Sequence, residues 1–146
     1  PPPPLTHRLP PTPTLEADRR QRQLCIRDRA AAARDRALQQ ETDRAWHKLR
    51  IAIKELRYRL DDQPADVRSG EVRQTLSICR QLQEELGTWH DTVVHRELLH
   101  SASPGDESLL ALLDGMLVRE GEETLDRVRA MLVEAAVEDA LSPGRH

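Results

Sequence analysis

The 146-residue chain has no phenylalanine, one tyrosine and two tryptophans. Its core must therefore be built mainly from Leu, Ala, Val and Ile. That set suits helix-on-helix packing better than sheets, which favour aromatic and β-branched side chains. Cysteine is nearly absent: Cys25 and Cys79 stand alone, which excludes a disulfide framework and a paired-cysteine zinc motif. Both thiols are expected to be reduced, in a cytoplasmic setting. No apolar run approaches the roughly 20 residues that cross a bilayer, and the proline-rich N-terminus lacks the apolar stretch of a signal peptide. There is no glycine-rich phosphate loop, zinc signature or nucleophile elbow. Lysine is scarce as well. Of 22 cationic residues only Lys48 and Lys54 are lysines. The arginine fork suits phosphate oxygens, although a GC-rich gene raises arginine in the same way.

The net charge of −3 hides a strong asymmetry. Residues 1–60 carry 14 Lys/Arg against 7 Asp/Glu, residues 61–100 carry 4 against 8, and residues 101–146 carry 4 against 10. The chain is thus not basic throughout, and any anion site must be local and drawn from the N-terminal half.

Residues 1–14, with seven of the ten prolines, read as a linker without packed structure. Residues 15–141 read as one helical domain and 142–146 as a frayed tail. Residues 15–40 lack Gly and Pro and carry an alanine run. They predict one exposed helix with a narrow seam of Leu24, Ala31 and Leu38, capped off from the next helix at Thr42 or Asp43. In residues 43–61, Trp46, Leu49, Ile53, Leu56 and Leu60 recur at spacings of 3, 4, 3 and 4, one apolar stripe of a helix. Val72, Leu76, Cys79, Leu82 and Leu86 predict a third helix over 71–87, with Gly87 as its stop and Thr88-x-x-Asp91 as a capping box for a fourth over 88–100. A last helix is predicted over 107–140, weakened at Gly115 and Gly121. The fold class is therefore all-α, an antiparallel bundle of four to five helices.

The chemistry lies on the second helix. At about 100° per residue, with His47 at zero, Arg50 falls near 300°, Lys54 near 340° and Arg57 near 280°. These four form one stripe beside the apolar face, at the rim of a groove toward a neighbouring helix. Partly desolvated cations converging there are what a chain of phosphates needs, whereas most charge runs are solvated faces. Glu55, the one acid within the run, falls near 80°, on the opposite side.

HKLRIAIKELRYRL at 47–60 followed by CRQLQEELGTWHDTVV at 79–94 resembles the CHAD family, the conserved histidine α-helical domain. The first motif is carried by His47, Arg50, Ile51, Lys54, Leu56, Arg57 and Tyr58. The second is carried by Arg80, Leu82, Gln83, Leu86, Gly87, Asp91 and Val94. The resemblance implies a helical bundle that binds inorganic polyphosphate in a basic groove; with no catalytic constellation assembled in the sequence, no catalysis, cofactor or metal is expected. It implies His47, Arg50, Lys54, Arg57 and Arg80 as phosphate contacts, with Gln83 and Asp91 as structural residues. Two departures bear on this: Glu55 stands where the family often has a second cation, and one motif pair is present where the family usually has two. A second half is therefore expected from a homodimer or from further sequence.

Three other readings compete. His90-Asp91 invites a metal-dependent hydrolase, but His90, His95 and His100 are five apart and cannot share a helix face. A helical adaptor without ligand fits the heptad-like seams equally well. Nucleic acid is disfavoured, because stacking aromatics are few and the C-terminal half is acidic.

Overall fold

The computed structural model describes residues 13–102 and 105–142. The expected linker at residues 1–12 and the end of the expected tail at 143–146 lie outside them. Helix α1 spans Pro13–Gln40, α2 Asp43–Asp61, α3 Gly70–Ala102, α4 Glu107–Leu132 and α5 Ala135–Leu141, with a single 3₁₀ turn at Ala65–Val67 between α2 and α3. Among the described residues there is no strand. The bundle is all-α, as expected.

Consecutive long helices run antiparallel, and cross-links fix their register. Arg29 faces Glu55 between α1 and α2. Arg57 meets Gln83 and His47 meets His90 between α2 and α3. Arg127 faces Glu85, and Arg96 faces Asp114, between α3 and α4. The α2 stripe is buried as its periodicity predicts: Trp46, Leu49, Ile53, Leu56 and Leu60 are all in the core. Thr42 caps α2, its hydroxyl accepting from the Ala45 amide at 3.2 Å, and this satisfies one of the helix's free N–H groups.

Three expectations are corrected. The buried seam of α1 is Ile26, Ala30, Ala33 and Ala37, while Leu24, Ala31 and Leu38 are only half-buried. Small alanines let α1 lie close against α2, which spacing by sevens did not reveal. Helix α3 does not stop at Gly87. It runs unbroken for 33 residues, and the Thr88 hydroxyl donates back to the Glu84 carbonyl at 3.2 Å instead of capping a new helix. The C-terminal helix passes through Gly115 and Gly121 and breaks later, at Val133 and Glu134. The break is held by Arg34 of α1, whose Nε and Nη2 donate to the Leu132 carbonyl at 3.1 and 2.9 Å. That carbonyl, left without a partner at the helix end, gains a charged donor.

The glycines within α3 and α4 sit in different surroundings. A Cβ at Gly87 would meet nothing within 4 Å, whereas one at Gly121 would lie 2.9 Å from the Thr92 hydroxyl. Thr92 is buried and donates to the Trp89 carbonyl at 2.6 Å, so α4 packs tightly on α3 at Gly121. Gly87→Ala should raise stability by about 0.5–1 kcal/mol through helix propensity. Gly121→Ala should lower it by about 1–3 kcal/mol through overpacking. Urea melts of both variants check this, and equal shifts would contradict it.

The far ends of α3 and α4 form a two-helix arm. Its tip is held by Asp114, which accepts from Arg96 Nε at 2.9 Å and lies 3.0 Å from His100 Nε2. The Arg96 hydrogen bond, chiefly, holds the Asp114 carboxyl below its ordinary range. Burial pushes the Cys79 thiol up to about 12, so this core cysteine is inert. No helix among the described residues is long and apolar enough to cross a membrane.

Candidate functional site: the seam between α2 and α3

The α2 stripe His47–Arg50–Lys54–Arg57 faces α3, as the helical spacing requires. Its two ends are marked by contacts. Arg57 Nη1 donates to Gln83 Oε1 at 2.8 Å, and the His47 and His90 rings lie 5.5 Å apart, tilted by 32°. Between these crossings α2 contributes Arg50 and Lys54. On α3, Gly87 lies four residues after Gln83 and three before His90, on the same face. An added Cβ there would meet nothing, so the seam is open opposite the two central cations.

The charges of this seam are unevenly compensated. Asp61, one turn beyond Arg57, is the local hub. Its Oδ2 lies 3.3 Å from Arg57 Nε, and its Oδ1 lies 3.1 Å from Arg80 Nη2 and 3.8 Å from Arg68 Nη2. The Arg57 Nε contact has ion-pair distance without hydrogen-bond geometry, and that nitrogen is buried and unsatisfied. Arg68 also donates to the Asp61 and Gln63 carbonyls at 2.9 and 3.0 Å, which ties the α2–α3 loop to the end of the stripe. Further up the seam compensation stops. Arg50 forms no ion pair among the described residues, and its Nε is buried without a hydrogen-bond partner. The Lys54 amine sits 5.8 Å from the Tyr58 ring centre, a cation–π contact.

The five expected contact residues therefore fall in one region, in two states. Arg57 and Arg80 are engaged with Asp61, and Arg50 and Lys54 face no carboxylate among the described residues. His47 is exposed and stacked near His90. Glu55 is remote from the stripe, as its angle predicts, and its carboxylate lies 3.8 Å from Arg29 of α1. Gln83 accepts a hydrogen bond from Arg57. Asp91 is exposed in mid-helix and caps nothing, because α3 does not restart there. Sequence reasoning missed Asp61, Arg68 and His90. Arg57-x-x-x-Asp61 was a readable signal, since residues four apart share a helix face. Arg68 was not, because its reach depends on the path of the loop.

Other candidate chemistry is dispersed. His90 lies on the seam, His95 lines the groove of the α3–α4 arm, and His100 bonds Asp114. No group of three or more metal-ligating residues occurs among the described residues.

Fold and site together define an all-helical domain with cations gathered along the seam of its second and third helices. The family model for the CHAD domain matches residues 4–100, about two thirds of the chain, and the chain belongs to that family. The match includes α2 and nearly all of α3, with both sides of the seam, and ends before α4. A search of curated proteins finds no match, and a search of solved structures finds none.

Proposed function

We propose that the α2–α3 seam is a basic groove that binds inorganic polyphosphate without transforming it, with His47, Arg50, Lys54, Arg57 and Arg80 as the contacting residues. The observation that carries this reading is Arg50. A guanidinium with a buried, unsatisfied Nε and no carboxylate partner among the described residues, next to Lys54 and opposite the open position at Gly87, has an unmet need for an anion. Membership of the CHAD family, a binding-domain family associated with polyphosphate, supports the same ligand. Arg57 and Arg80 then exchange part of their hold on Asp61 for phosphate oxygens. A second helical half, from another copy of the chain or from further sequence, would close the groove from the other side.

Binding of this kind releases condensed counterions. With four or five contacting cations, affinity for polyphosphate should fall by orders of magnitude between low and physiological salt. Titration of polyphosphate, sulfate, DNA and RNA across a salt series tests this. Polyphosphate should bind tightest and with the steepest salt slope. Salt-independent binding, or equal affinity for DNA, would refute the mechanism. If no polyanion binds, the adaptor reading takes its place.

A further inference from the structure

The opposite flank of α2 carries a second cluster of cations that the α2–α3 seam does not use. Where the last turns of α1 meet the first turns of α2, Ala33, Arg36, Gln40, Arg44, Ala45 and Lys48 line a cavity of about 390 Å³. Three of these six residues are cations and none is a carboxylate. Two are alanines, and their small side chains leave room between the charged arms.

The neighbouring acids are directed elsewhere. Asp35 pairs with Arg34 at 3.5 Å and Glu41 with Arg129 at 2.8 Å, and Asp43, in the first turn of α2, is not among the residues that line the cavity. Among the described residues, Arg36, Arg44 and Lys48 form no ion pair. Nine other arginines do: Arg27, Arg29, Arg34, Arg57, Arg68, Arg80, Arg96, Arg127 and Arg129. Arg36, Arg44 and Lys48 are solvent-exposed, so their mutual repulsion is screened. What remains is a local concentration of positive charge in a chain with more acids than bases, which favours an anion long enough to span all three. The effect does not come from the helix ends, since the C-terminus of α1 and the N-terminus of α2 meet here with opposite dipoles.

We propose that this cavity is a second anion site, which takes a short inorganic oligophosphate. Two arginine forks and one ammonium offer donors from both helices, and the Gln40 amide adds a neutral one. The volume corresponds to that of about a dozen water molecules, more than a single small anion needs. The site lies on different residues from the α2–α3 groove and does not rest on that reading.

Calorimetric titration with sodium tripolyphosphate tests it on three full-length proteins, each checked by a thermal melt. These are the wild type, the pocket triple Arg36→Gln/Arg44→Gln/Lys48→Gln, and the seam triple Arg50→Gln/Lys54→Gln/Arg57→Gln. Glutamine keeps the polar reach of each side chain and removes only its charge. The wild type should bind two equivalents. The pocket triple should lose one of them, weakened roughly tenfold or more by the loss of its charged donors, and the seam triple should keep that one. If the pocket triple binds as the wild type does, or the wild type binds no tripolyphosphate, the pocket proposal is overturned. A wild type with one equivalent, lost only in the pocket triple, would uphold the pocket while removing the seam reading. One lost only in the seam triple would do the reverse.

Discussion

Replacing Arg50, Lys54 and Arg57 together by alanine should weaken polyphosphate binding by roughly two to four orders of magnitude. Each partly desolvated charged contact is worth on the order of 1–3 kcal/mol, and about 1.4 kcal/mol is a factor of ten. The three share one ligand, so their losses should sum to less than the separate values. Stability should barely move. None of the three is in the core, and their side chains hold the fold through the Arg57–Gln83 hydrogen bond, the Arg57–Asp61 ion pair and the Lys54–Tyr58 cation–π pair. Partly exposed pairs of this kind contribute about 0–1 kcal/mol. The control is the triple change of Arg19, Arg20 and Arg22 to alanine. These are exposed on the first half of α1, where water and salt screen their charge, so binding should change little. If the α1 triple hurts binding most and the stripe triple binds normally, general electrostatics and not the seam explain the affinity. His47 is exposed and touches α3 through a tilted ring contact with His90, so His47→Ala should affect binding more than the melt.

Trp46→Ala should lower stability by about 3–5 kcal/mol, the usual cost of deleting a buried tryptophan side chain. Trp46 is fully buried in the first turn of α2, with the Arg129 guanidinium of α4 5.6 Å from its ring centre. Its removal opens a cavity in the core that it shares with Leu49 and the alanines of α1, and a rigid helical core closes such gaps poorly. Trp46→Phe is the informative comparison. The indole Nε1 is buried without a hydrogen-bond partner, so phenylalanine removes an unsatisfied donor along with some volume. It should cost clearly less than alanine. Chemical denaturation of both variants decides the matter. Equal losses would mean that ring volume is not what Trp46 contributes.

How much was legible in the sequence depended on which kind of signal each element carried. Helix α2 was read almost residue by residue, because its apolar stripe and its basic stripe both follow the 3.6-residue period. The fate of Glu55 followed from the same geometry. The α1 seam was misplaced, since alanines at 30, 33 and 37 differ little in hydrophobicity from alanines at 31 and 32, and only contact with α2 tells them apart. Gly87 looked like a stop because glycine is common at helix ends. Packing of α3 against α2 and α4 on either side carries the helix through, as tertiary contacts commonly override propensity. The cations of the seam were found from the sequence, but their counter-charge was not. Asp61 lies at the end of α2, and its ties to Arg68 and Arg80 depend on where the loop and α3 return in space. That gap matters for function, because Asp61 divides the stripe into an engaged end and an unsatisfied centre.

The most direct test of the polyphosphate groove is to follow the arginine side-chain Nε–H resonances by NMR while long-chain polyphosphate is added at low substoichiometric amounts. Arg50, Arg57 and Arg80 should shift first and together. Arg127 and Arg129 of α4, which are paired with Glu85 and Glu41, should stay in place. Early shifts spread evenly over the exposed arginines of α1, with Arg50 unmoved, would contradict the groove assignment.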